Sequence, residues 1–394
     1  MKSQNNPKKA FASTADATSE VCNQQYSQEN SSKDKNSPFK EKEFQKDSSS
    51  SYLEDDAVSA ALPAANWHRR RELFEVCLVG TGRGKLLREV VGIVDGYCGK
   101  EFEGTCEELT GHTGPVNSVC ALGDGRLASG SVDKTIRIWD LNKGGEHVQT
   151  LTGHTESVSS VCALGGGRLF VSGSGDGTIR IWDLNKGGEH VQTLTGHTGS
   201  VYSVCALGDG RLASGSWDKT IRIWDLNKGG EHVQTLTGHT SWVCSVCALG
   251  DGRLASGSSD KTIRIWDLNK GGECVQTLTG HTDWVRSVCA LGDGRLASGS
   301  WDKTIRIWDL NKGGKHVQTL TGHNRVVASV CALGDGRLAS GSNDKTIRIW
   351  DLSKGEGECV QTLTGHNRVV TAVCKLGDGR LASGSLDQSL RIWT

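Results

Sequence analysis

From Val116 onward, apolar and polar side chains alternate in short runs that break at glycine. Val116 to Leu122 alternates and stops at Gly123-Asp124-Gly125, a hairpin signal because glycine accepts positive φ. Leu127 to Ser131 predicts a second, small-residued strand. Thr135 to Leu141 is β-branched and aromatic, and a period of two sets Ile136 and Ile138 on one face and Arg137 and Trp139 on the other. Asn142-Lys143-Gly144-Gly145 predicts another turn, and His147 to Leu151 a fourth strand. So small a sheet cannot bury both faces by itself.

The chain solves this by repetition. The stretch Gly111 to Asp140 recurs, with its Gly-His histidines at His112, His154, His197, His239, His281, His323 and His366, a spacing of 42 or 43 residues. Tryptophan recurs with it at Trp139, Trp182, Trp224, Trp266, Trp308, Trp350 and Trp393, so there are seven copies. A fixed period in this range predicts stacked units sharing a core around an axis.

Gly-His, then an aspartate such as Asp133, then Trp139-Asp140 is similar to the tryptophan–aspartate (WD) repeat family of β-propellers, and the resemblance covers residues 102–394. It implies an all-β, seven-bladed β-propeller of four-stranded antiparallel blades. It also implies a buried relay in each blade, joining His112, Ser129, Asp133 and Trp139 in the first copy and His239, Ser256, Asp260 and Trp266 in the fourth. A Ser-His-Asp set is also hydrolase chemistry, but seven equivalent sets would be seven active sites. A tryptophan N–H can only donate, so the set reads as a satisfied structural chain with no catalytic residue.

The seventh copy stops at Trp393-Thr394, after its third strand, whereas Glu103 to Thr110 precedes the first copy. Cys106-Glu107-Glu108-Leu109 aligns with Val148-Gln149-Thr150-Leu151, so the N-terminal segment is expected to supply the missing strand and close the ring. Ahead of it, residues 1–56 are rich in Ser, Asn, Gln and Lys and read as a disordered tail. Residues 57–101 form a small segment of unassigned role. Within it Gly80-Thr81-Gly82-Arg83-Gly84-Lys85 fails as a phosphate loop, because Leu86 stands where a magnesium-binding hydroxyl is needed.

Composition then removes alternatives. Lys+Arg and Asp+Glu both number 45, so net charge is zero and gives no global argument for nucleic acid or an acidic membrane. No apolar run approaches a membrane span, and Met1 to Ala10 lacks a signal-peptide core. Of the fourteen cysteines, seven (Cys120, Cys162, Cys205, Cys247, Cys289, Cys331 and Cys374) hold one equivalent site and read as free thiols. Cys244 and Cys247, three apart on a strand, should face opposite ways, so no metal is expected and no cofactor is implied. This usage fits a reducing compartment, cytoplasmic or alternatively nuclear.

The copies differ almost only at one edge. The links between blades and the loops between second and third strands share that edge, the top, because successive strands reverse direction. The bottom turns hardly vary and balance in charge. Four of the twelve tryptophans lie outside both the relay and residues 1–101: Trp217, Trp242, Trp284 and Trp301, all at top positions of blades three to five. With Tyr202, Arg286, Asn343, and Arg325 and Arg368 from blades six and seven, they read as an exposed hot-spot cluster. The expectation is a non-catalytic scaffold, a monomer within a larger complex, binding a protein or peptide on its top face, without nucleic acid or membrane. One alternative is the substrate receptor of a ubiquitin ligase, although Asn142 stands where one adaptor class wants Arg or Lys. Another is a reader of a modified peptide through an aromatic cage. A G-protein-β-like role fails because the N-terminus lacks heptads.

Overall fold

A computed structural model describes residues 102–165, 169–353, 355 and 357–394. The expectations for residues 1–56 and 57–101 therefore lie outside the described residues.

The alternating runs form seven four-stranded antiparallel sheets. In the first blade Val116–Ala121 is innermost, followed outward by Arg126–Ser131, Ile136–Asp140 and Glu146–Leu151. The turn after the third strand is one 3-10 turn, Leu141–Lys143. The Asp140 carboxylate caps it by accepting from Asn142 N–H at 3.0 Å, and Gly144 ends it at φ 67°. The innermost strands neighbour one another around a complete ring, with Val116–Ala121 beside Val370–Lys375.

Closure follows the expected route. Cys106–Leu109 pairs with Leu390–Trp393 as the outermost strand of the seventh blade. Thr105 and Thr394 join through their hydroxyls at 2.7 Å, and Arg391 Nη2 donates to Glu108 at 2.9 Å. The register keeps Glu107, Glu108 and Leu109 where the alignment put them and corrects only Cys106. Cys106 lies opposite Trp393, as His147 lies opposite Trp139, because the other outer strands carry a bulge at the valine that this shorter strand lacks.

Both faces of every blade are buried, each against a different neighbour. Ile136 and Ile138 pack with Val158, Val161 and Trp182 of blade two, whereas Trp139 packs with Ala372, Leu390 and Ile392 of blade seven. Glycine permits this approach. A Cβ on Gly130 would lie 2.6 Å from Val158 Cγ1, and one on Gly384 2.7 Å from Val116 Cγ1 at the closing interface.

An innermost strand also has a free edge of N–H groups, and the preceding blade satisfies it with side chains. Val161 N–H donates to Ser118 Oγ at 3.0 Å, and Ala248 N–H to Cys205 Sγ at 3.2 Å. This gives the repeated cysteine a role. Burial pushes the Cys374 thiol up to about 11, so it stays protonated in the interface. Cys120, Cys205, Cys247, Cys289, Cys331 and Cys374 are free thiols. Cys162 is disulfide-bonded, contrary to the expectation of seven free thiols. The spacing argument excludes only bonds between equivalent sites, and with the other six free none forms there.

Candidate functional site

The relay residues meet in every blade. In the first, His112 Nδ1 lies 2.8 Å from Asp133 Oδ2, His112 Nε2 lies 2.7 Å from Ser129 Oγ, and Trp139 Nε1 donates to Ser129 Oγ at 2.9 Å. In the fourth, the corresponding distances for His239–Asp260, His239–Ser256 and Trp266–Ser256 are 2.7, 2.7 and 2.8 Å. Asp133 also accepts from Thr113 N–H, Thr135 N–H and the Thr135 hydroxyl. Burial alone would raise its pKa, but the hydrogen bonds from His112 and Thr135 outweigh burial and hold it well below the usual carboxylate range. An ionised Asp133 fixes the proton of His112 on Nδ1, leaving Nε2 to accept from the serine hydroxyl. The polarity is that of a hydrolytic triad, but Ser129 is wholly buried and already receives the tryptophan N–H. No substrate carbonyl can reach it.

The relay therefore ties the Gly-His loop to the loop after the second strand, and a backbone bond ties them again. Trp217 N–H donates to Ser200 O at 3.0 Å, Ser259 N–H to Trp242 O at 3.0 Å, Trp301 N–H to Trp284 O at 2.9 Å, and Asn343 N–H to Val326 O at 2.9 Å. The two variable top positions of each blade are thus adjacent on a doubly anchored platform.

On that platform the tryptophans are not separate exposed rings. Trp217 stacks on Trp242 at 4.5 Å between centroids, across the gap from blade three to blade four. Trp242 meets Trp284 edge-on at 5.4 Å, crossing to blade five, and Trp284 lies 4.6 Å from Trp301. Tyr202 extends the row, 5.2 Å from Trp217. Five rings form one ladder over three blades. The expectation of exposed rings holds for Trp217, which is 39% exposed, while Trp242, Trp284 and Trp301 are half-buried by their mutual contacts.

Tyr202 and Arg286 need a stronger correction, being 9% and 7% exposed. Each sits where the register shifts between the first and third residues of its innermost strand, and a bulge there re-aims the side chain toward the inside of the ring. Arg286 of blade five places its guanidinium carbon 5.8 Å from the Tyr202 ring centroid of blade three. It buttresses the ladder from inside rather than offering its fork to solvent. Arg325 and Arg368 are exposed, and Asn343 is half-buried.

Sequence reasoning missed a set of lysines because five of the seven copies share them. Lys134, Lys219, Lys261, Lys303 and Lys345 follow the relay aspartate on the top loops, at φ of 70–72°, where blade two has Gly177. All five lysines are exposed. Among the described residues no group of three or more His, Cys, Asp or Glu could hold a metal ion. Cys244 Sγ lies 3.2 Å from Ser259 Oγ, whereas Cys247 Sγ donates to Ala248 O. Among the described residues no helix is long and apolar enough to cross a membrane.

The family model described as WD domain, G-beta repeat matches the chain at residues 104–140, 145–183, 188–225, 230–267, 272–309, 314–351 and 357–394. No curated protein matches the chain.

Proposed function

The chain belongs to the WD-repeat family, a fold generally used for protein–protein interaction, and from that premise we propose that it is a non-catalytic scaffold binding a protein or peptide on its top face. The observation that carries this reading is the five-ring ladder from Tyr202 to Trp301, continuous across three blades with Trp217 open to solvent. Such a preassembled aromatic row buries a partner's apolar groups at small entropic cost, since the rings already hold one another. The aromatic-cage alternative fits less well. A cage surrounds its cation with ring faces, whereas these rings run in a row, and the Tyr202 end already carries Arg286. The ubiquitin-ligase alternative gains no support from the top face. We place the protein in the cytoplasm or nucleus, as a monomer within a larger complex.

The test compares top and bottom. Trp284→Ala and Trp301→Ala are set beside Lys143→Ala and Lys228→Ala, whose lysines are exposed in bottom turns and lie 3.7 Å from Asp140 and Asp225. Partners captured by the full chain from a native extract should be lost with the tryptophan variants, by roughly thirtyfold or more in affinity, and retained with the lysine variants. The reverse pattern would move the site to the bottom face.

A further inference from the structure

The two faces of the ring treat their charges differently. At the bottom most cations of the described residues have a carboxylate beside them. Arg211 meets Asp209 at 2.6 Å, Arg253 meets Asp251 at 2.6 Å, and Arg295 meets Asp293 at 2.7 Å, while Lys270 lies 3.6 Å from Asp267. The top lacks this pairing around the ladder. Arg325 and Arg368 are exposed beside half-buried Val326 and Val369, in the loops that continue the ring from the ladder into blades six and seven. Lys219, Lys303 and Lys345 project from the same edge, and none of these five cations has an ion-pair partner among the described residues.

The carboxylates of the same loops are few and occupied. Glu156 lies 3.7 Å from Lys134 on blades one and two, away from the ladder. Asp283 Oδ1 accepts the N–H of Trp284. The relay aspartates are held inside by histidine and threonine. The top over blades three to seven thus exposes cations without a carboxylate partner among the described residues, whereas most cations at the bottom are paired.

We propose that the top-face partner is an acidic, extended peptide segment that lays an apolar or aromatic side chain on the tryptophan ladder and directs carboxylates to Arg325 and Arg368. This rests on the top-face reading above and adds the chemistry of the occupant. Two features favour carboxylates. Arginine offers a planar fork that matches a carboxylate with two parallel bonds. Unpaired cations around an apolar strip also raise the association rate of an acidic chain and repel a basic one. The geometry suits an extended segment rather than a globular anchor, because ladder and arginines lie along the rim on successive blades.

The experiment selects binders from a displayed library of short random peptides on the intact chain, then measures each against variants. Trp284→Ala/Trp301→Ala tests the face, and Arg325→Ala/Arg368→Ala tests the chemistry. The arginines are exposed and make no hydrogen bond or ion pair among the described residues, so their removal should leave the fold unchanged. The expected binders are rich in Asp and Glu and carry an apolar residue. They should weaken by about tenfold or more on the double arginine variant, or when their acids become amides, and they should weaken with rising salt. Neutral or basic binders that need the tryptophans but ignore the arginines overturn the acidic assignment and leave the top-face reading standing. Binders indifferent to the tryptophans overturn both. A thymidine oligonucleotide that competes for the ladder more strongly than the selected peptides would replace the peptide by single-stranded nucleic acid.

Discussion

The hydroxyl of Ser256 serves two partners at once, accepting from Trp266 Nε1 at 2.8 Å and meeting His239 Nε2 at 2.7 Å. Neither bond can be replaced by water, because serine and tryptophan are buried. Trp266→Phe keeps most of the ring area but leaves that oxygen without its donor, which costs about 1–3 kcal/mol. The denaturant midpoint should fall accordingly; an unchanged midpoint contradicts the relay's structural role. The ladder makes a second claim about single residues. Trp217 and Trp242 are stacked with an interplanar angle of 18°, so truncating either should weaken what the other contributes. A double-mutant cycle of Trp217→Ala and Trp242→Ala should give a coupling of about 0.5–1.5 kcal/mol in unfolding. Strict additivity would mean that the rings are neighbours without being partners.

At the scale of the element, the decisive strand is Cys106–Leu109, which comes first in the chain and completes the last blade. Without it Leu390–Trp393 is an unpaired edge, and the packing of Phe102 and Leu109 beside it is lost. Deleting residues 1–101 should leave the ring folded, while deleting 1–110 should produce aggregation or a clear drop in melting temperature. Equal melting temperatures for the two truncations would rule out this closure. The seventh interface is also chemically thinner. In the other blades a serine such as Ser245 or Ser287 accepts the valine N–H of the next innermost strand, but Ala372 holds that position in the seventh. Thr371 compensates in part, its hydroxyl, with a single hydrogen to donate, lying 2.5 Å from Val116 O and 2.9 Å from Gly384 O. Ala372→Ser should raise stability by about 0.5–1.5 kcal/mol, read as a higher denaturant midpoint, by giving Val119 N–H the acceptor its counterparts have. A lower midpoint would show that the seam has no room for the hydroxyl.

For the whole ring, the relay aspartates act as one pH-dependent component. All seven have pKa values lowered by hydrogen bonds from histidine and from threonine or serine, against the opposing effect of burial. Their folded pKa values lie below the unfolded carboxylate value of about 4, so in acid the unfolded chain binds more protons than the ring does. The stabilisation is therefore complete above about pH 4 and is lost as pH falls through and below that value. Denaturant midpoints measured from about pH 5 downward should drop steeply in this acid window. A midpoint that holds through it would show that the carboxylates contribute little.

Periodicity and identity along the chain by themselves determined the strands, the count of blades and the source of the closing strand, while the membership of each relay came from the resemblance to the WD-repeat family. The first three depend on a local alternation or on an interval between matching residues, and both survive in a linear reading. Other features were decided only when the blades met. Alternation separates Ile138 from Trp139 but does not say that one faces blade two and the other blade seven. It cannot place the bulge that turns Tyr202 and Arg286 inward, since a register shift belongs to a pair of strands and not to either one. Nor can it distinguish four scattered tryptophans from a ladder, because Trp217 and Trp242 stand 25 residues apart and touch only across a gap between blades. The repeated lysines went unread for a related reason. Comparing copies reveals what varies, whereas the charge of a face is a sum over everything that projects from it, and only the closed ring puts those groups on one side.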